Sequence, residues 1–173
     1  MKAEINEVVK RIPEDFTVQN LRSLRTVNSL FHEVARYYTA FPTQTLEVRY
    51  DEGFTFKSCN VTVPKGWHII LSRIDGAVRK PGNDYDSLEN PFEKFQPDRY
   101  LHGDYNEEEI YWYLFSEKGV RECPGKMLAK LEFAAFMVIF TKMCGTFSID
   151  KPIDSIPWKS GRLPPEEYRL TIQ

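Results

Sequence analysis

Cys123 stands where a thiol can become a ligand. In FSEKGVRECPGKMLAKLE, residues 115–132, it follows Gly119 and Arg121 at offsets of four and two, and Pro124 and Gly125 come directly after it. The apolar, helix-forming stretch MLAKLEFAAFMVIFTKM then begins, so the cysteine sits at a helix start. Unpaired backbone N–H groups at such a start carry partial positive charge, which lowers a thiol pKa and can donate hydrogen bonds to a coordinated sulfur. That is a thiolate iron site in outline. The two glycines permit a tight loop that brings backbone close to a flat macrocycle, and Arg121 is placed to reach an acidic group on it. The competing reading of a free cysteine is a small buried apolar residue.

Two further clusters bear on that choice. In FHEVARYY, Glu33 and Arg36 stand three apart on a helical pattern, so both side chains lie on one face. Alone they would read as a surface ion pair. In FEKFQPDRY, Arg99 follows Pro97 and Asp98 in a proline-bounded loop that could return to that helix, where a second guanidinium would share the Glu33 carboxylate.

In order and spacing these segments, EVAR, PDRY and SEKGVRECPG, resemble the C-terminal part of the cytochrome P450 family of haem-thiolate proteins, with its ExxR, PERF-like box and FxxGxRxCxG. The resemblance implies that Cys123 is the axial ligand of haem iron and that Arg121 contacts a haem propionate. It makes Gly119 and Gly125 the glycines of the Cys loop, and Glu33, Arg36 and Arg99 a buried cluster bracing that loop. Arg49 is the candidate for a second propionate contact, two positions late against the family pattern. NVTVPKGWHIILSRIDGAVRKP, residues 60–81, looks like the family's hairpin with its VPKG turn, Pro42 falls in the family's proline-rich stretch, and GRLPPEEYRLTIQ looks like the closing strand pair. The family pattern has Phe seven residues before the cysteine. Here Ser116 holds that place and Phe115 stands one earlier, so the ring covering the loop is expected to be displaced.

The expected fold class is therefore α+β, mainly α: the C-terminal, proximal part of the cytochrome P450 fold, with small β-sheets and a long helix after the Cys loop. Residues 1–173 would form a single partial haem-thiolate domain. No AGxxT-like run occurs, no WxxxR helix segment stands ahead of Glu33, and the opening MKAEINEVVKRIPEDFTVQNLRSL looks like the end of the helix before ExxR and its connector. The chain thus reads as a fragment, a truncated product, or a small protein that kept the proximal half. The functional expectation is the haem-binding part of a monooxygenase, hydroxylating a small organic substrate if a distal half completes it and not competent alone. The alternative is a truncated non-oxygenase derivative, acting as a partner-binding scaffold or a cofactor-free isomerase or cyclase. Haem, a redox partner or the missing distal half, and self-association or an obligate protein partner are the expected associations.

Composition agrees. With 42% hydrophobic and 28% charged residues in 173, one domain with a real core is possible. A formal net charge of −2 with interspersed signs indicates neither nucleic acid nor a polybasic membrane patch. The charged N-terminus is neither signal peptide nor anchor, and the apolar run Phe133 to Phe140 is too short to span a bilayer, so a cytoplasmic or peripheral location is expected. Cys59, Cys123 and Cys144 form no CxxC pair, which favours a reducing compartment; Cys59 and Cys144 read as packing residues. His32, His68 and His102 lack ligand spacing. The aromatic run YWYLF, residues 111–115, could be a π-platform for a ligand, but with 14% aromatic residues overall core packing is the favoured reading.

Periodicity places the elements. Residues 15–38 read as one helix with Thr17 as cap and Phe16, Leu21, Leu24, Leu30 and Phe31 on its apolar face. LEVRY, FTFKSCNVTVP and WHIILS read as strands, with Asp51, Glu52 and Gly53 as a turn. Residues 76–110 read as long irregular connections, 124–143 as a helix, and FSI with YRLTI as terminal strands.

Overall fold

The computed structural model describes residues 17–39, 41, 43–73, 95–102, 115, 122–144, 147–149 and 170–172. Thr17 caps α1 (Val18–Arg22), its Oγ1 accepting the Asn20 N–H at 3.2 Å, as a hydroxyl N-cap does. The single helix expected over 15–38 is in fact two. Ser23 Oγ donates back to the Asn20 carbonyl at 2.8 Å, and Leu24 leaves the helical region with φ −74° and ψ 84°. Serine's local hydrogen bonding offers the chain this alternative to continuing the helix. Helix α2 (Arg25–Tyr37) follows, carrying both Glu33 and Arg36.

The core lies where α1 and α2 meet α3 (Lys126–Cys144). Leu21, Leu24 and Val27 pack with Ala134 and Val138, flanked by Leu131, Phe133, Ala135 and Met137. Leu24, Val27 and Val138 are fully buried, and each such side chain contributes roughly 1.5–3 kcal/mol. A helix apolar nearly all round, as α3 is, belongs in surroundings that bury every face. Yet Leu128, Phe136 and Met143 are 59%, 59% and 78% exposed. No helix among the described residues is long and apolar enough to cross a membrane.

Three two-stranded antiparallel sheets complete the described fold. Strand β1 (Thr43–Glu47) pairs with β4 (His68–Ser72), running from Thr43 opposite Ser72 to Glu47 opposite His68. The strand expected at LEVRY is thus shifted towards the N-terminus, and Val48 beyond it is buried, bonded to Gly66 and Trp67 backbone. The reading of FTFKSCNVTVP as one strand is also corrected: β2 (Phe54–Phe56) and β3 (Val61–Val63) form a hairpin. Its turn, residues 57–60, depends on Asn60 at φ 54°, a left-handed conformation that asparagine tolerates better than most side chains. The VPKG segment consequently joins strands of two different sheets and does not close a hairpin of its own.

The turn at Asp51, Glu52 and Gly53 is present, closed by Gly53 N–H to the Tyr50 carbonyl at 3.0 Å. Gly53 has φ 79°, and a Cβ there would lie 2.6 Å from the Val63 carbonyl oxygen, so only glycine fits. Strands β5 (Phe147–Ile149) and β6 (Leu170–Ile172) pair as expected. Cys59, expected to pack, is exposed in the hairpin turn, and Cys144 is half-buried.

Candidate functional site

Helix α2 presents Ser29, His32, Glu33 and Arg36 on one stripe, spaced by three and four residues, and all four are buried. A buried carboxylate is costly unless every lone pair is satisfied. Glu33 meets that demand through four hydrogen bonds. Arg36 donates from Nε to Oε2 at 2.8 Å and from Nη2 to Oε1 at 2.6 Å, a forked arrangement. Arg99 Nε donates to Oε2 at 3.1 Å and the Gln96 backbone N–H to Oε1 at 2.8 Å. The structure therefore brings Glu33, Arg36 and Arg99 together with essentially no exposure.

The segment 95–102 is fastened to the same helix by further hydrogen bonds to its backbone. Ser29 Oγ donates to the Pro97 carbonyl at 2.8 Å and accepts the Tyr100 N–H at 3.2 Å, while Arg25 Nη2 reaches the Leu101 carbonyl at 3.1 Å. His32 lies edge-on to Tyr100, centroids 5.5 Å apart. Burial, then the charge of Lys130 on α3, push its pKa from 6.5 down to about 3. It is a neutral core imidazole.

The neighbouring side of α2 faces a cavity of about 520 Å³. Phe31, Val34, Ala35 and Tyr38 line it from α2, Ala129 and Phe133 from α3, and Phe115 and Cys123 from the Cys loop. Thr43, Gln44 and Arg73, at the paired ends of β1 and β4, form its polar rim with Thr39. Cys123 is half-buried, its N–H donating to the Phe115 carbonyl at 2.9 Å and its own carbonyl receiving the Lys126 N–H at 3.4 Å. Phe115, one place from the family position, still reaches the cavity and stacks on Phe31 at 6.3 Å. The Cβ position at Gly125 lies 3.9 Å from Cys123 Sγ, ordinary contact, so the sulfur does not itself require glycine there. Among the described residues there is no group of three or more His, Cys, Asp or Glu able to hold a metal. A thiol in an apolar cavity suits a ligand that brings its own coordination sphere.

Gly119 and Arg121 lie outside the described residues, as does Pro42. Arg49 is not brought to the cavity. Its side chain is 79% exposed and bonds Glu47 in solvent at 3.1 Å. The charged residue that does line the cavity is Arg73, which sequence reasoning missed; Nη2 donates to Gln44 Oε1 at 3.0 Å, and burial holds its pKa below the ordinary value. Ser29 and His32 were also missed, although their spacing from Glu33 and Arg36 marks one helical stripe and was the available signal.

The cytochrome P450 family model matches residues 1–172. Cytochrome P450 26A1 of Danio rerio is 28% identical over 116 residues, covering 61% of this chain and 22% of that protein. Cytochrome P450 4p1 of Drosophila melanogaster is 26% identical over 151 residues, covering 86% and 27%. The chain thus spans about a quarter of the length of these curated relatives. The crystal structure of a mutant cytochrome P450 heme domain superposes with a TM-score of 0.69 at 17% identity, covering 99% of this chain and 38% of that one. Another cytochrome P450 crystal structure gives 0.71 at 16% identity, covering 99% and 37%. At these identities the two structures establish a shared fold.

Proposed function

The chain belongs to the cytochrome P450 family, whose cofactor is haem iron, and from that premise we propose that it is the haem-binding part of a haem-thiolate monooxygenase, residues 1–173 acting as one partial domain. The observation that carries this reading is Cys123 in the wall of an apolar cavity of about 520 Å³, within the size range of small-molecule sites. The residues fit haem: aromatic and aliphatic side chains from α2 and α3 offer flat apolar contact, and a thiol stands at the wall. Bound there, haem supplies the oxygen-activating redox chemistry of hydroxylation. Cys123 would hold the haem iron through its thiolate, its loop fixed by the Phe115 carbonyl and by the start of α3. Arg121 and the glycines at 119 and 125 serve the same loop, and Glu33, Arg36 and Arg99 brace the fold beneath it. Phe31, Phe115 and Phe133 exclude water from the sulfur's surroundings.

Hydroxylation of a small organic substrate requires a covering distal half, supplied by further polypeptide or a partner. The exposed Leu128, Phe136 and Met143 on α3 favour such a cover, because large apolar patches on folded proteins mark interaction surfaces. The test is the absorption spectrum of the chain after haem reconstitution, reduced with dithionite under carbon monoxide, beside Cys123→Ala. A thiolate-type Soret band that disappears in the variant is expected. Absence of haem binding, or a band indifferent to the substitution, overturns the reading.

A further inference from the structure

We propose that the exposed stripe of α3 is a self-association surface, on which a second copy of this chain lays its own α3 antiparallel. Leu128, Phe136, Ile139 and Met143 are exposed, and Glu132, also exposed, falls among them. From Leu128 through Glu132 to Met143 the intervals are four, four, three and four residues, the spacing of a seam that packs along a partner helix. The stripe lies on the side of α3 opposite Ala134 and Val138, which are buried in the core with α1 and α2. Ala129 and Phe133, which line the Cys123 cavity, stand to one side of it. Phe136 is held on the stripe by stacking on Phe140, centroids 5.5 Å apart.

Charge chooses the occupant and its direction. Turned end over end, the stripe matches itself: Phe136 meets Ile139 of the second copy, and Glu132 comes level with Met143. Lys142, exposed beside Met143, then stands next to the second copy's Glu132, and two-fold symmetry makes this pair twice. A parallel arrangement in register would instead set Glu132 against its own counterpart within an apolar seam, where like charges repel.

From Leu128 to Met143 the stripe runs about 22 Å at 1.5 Å per residue, and under a helix roughly 10 Å wide it covers on the order of 200 Å² per copy. Stable interfaces bury about 800 Å² per partner. The contact is therefore a weak, concentration-dependent dimer. A distal half lying on this face excludes the second copy, so the dimer is the state of residues 1–173 without such a cover. Haem plays no part in it; failure of the dimer leaves the haem reading standing, and failure of the haem titration leaves the dimer.

The experiment is sedimentation equilibrium of residues 1–173 from about 1 to about 300 μM, where the average mass should rise from monomer towards dimer. Ile139→Glu, at an exposed site away from the core, should abolish the rise. Glu132→Lys alone and Lys142→Glu alone should each weaken the dimer roughly tenfold by setting like charges together. An equimolar mixture of these two variants should associate as the parent does, since each supplies the charge opposite to the other's. General stickiness of an apolar face would give no such rescue. Circular dichroism reads whether each variant keeps its helices, and if a single variant fails to fold, the double variant Glu132→Lys with Lys142→Glu carries the same test and should dimerise like the parent. A monomer at every concentration, a dimer indifferent to Ile139→Glu, or an exchange of charges that restores nothing would each overturn the proposal.

Discussion

Two sides of α2 meet opposite fates. Ser29, His32, Glu33 and Arg36 are polar and buried, because residues 95–102 supply a partner to the serine and the carboxylate. Phe31, Val34, Ala35 and Tyr38 include the helix's apolar side chains, yet they border a cavity of about 520 Å³. Along one helix, then, a polar stripe is fully buried while Val34 and Ala35, only half-buried, border open space. Where polar groups go inside, the protein itself has saturated them; where apolar groups stay uncovered, something other than this segment is meant to fill the space.

That contrast can be broken most forcefully at Glu33. Glu33→Ala leaves Arg36 and Arg99 buried without their carboxylate and should cost about 3–5 kcal/mol in urea denaturation. A cost below about 1 kcal/mol would mean that the cluster behaves as a surface pair.

A smaller effect comes from pH. Unfolded, His32 takes up a proton near 6.5, whereas folded it stays neutral until about 3. The unfolded chain therefore binds the extra proton in this window. Stability is fully present above pH 6.5 and declines on acidification towards 3, by at most about 1.4 kcal/mol per pH unit. Denaturation of His32→Phe across this range should show a shallower slope than the parent. Parallel slopes would mean that His32 is protonated in the folded chain.

The gentlest change in stability is expected on the cavity side. Ala35→Phe places a ring where the cavity is open, so urea denaturation should move within about 0.5 kcal/mol while haem titration shows binding lost. A large destabilisation would instead mean that this side of α2 is already close-packed.

Much of the saturated side was legible in the sequence. Glu33 and Arg36 are three apart, and helical period alone puts them together; the proline-bounded PDRY segment suggested that Arg99 could return to them. The depth of the cluster was legible only through the family resemblance, since the spacing alone reads as a surface pair and Ser29 and His32 have to be taken together with the loop that covers them. On the cavity side Cys123 announced itself through its neighbours. Arg73 did not, because its position follows from the register of β1 on β4, a pairing of strands separated by the 20 residues 48–67 that the linear pattern does not reveal. The same non-local pairing explains why VPKG was taken for a hairpin turn.

Glu33 and Arg99 are 66 residues apart in sequence, and the strands β1 to β4 all lie between them. The buried cluster is therefore a clasp across the neck of a long chain loop. Closing a loop costs entropy that grows only logarithmically with its length, each doubling adding about 0.6 kcal/mol. The sheet segment can consequently be lengthened at its exposed hairpin tips at little thermodynamic cost, provided the clasp is intact. In folding, the clasp is a non-local contact whose loop-closure entropy is lost before its hydrogen bonds repay it. Length variation in this family member should thus be tolerated within the looped segment and penalised at its two closing ends.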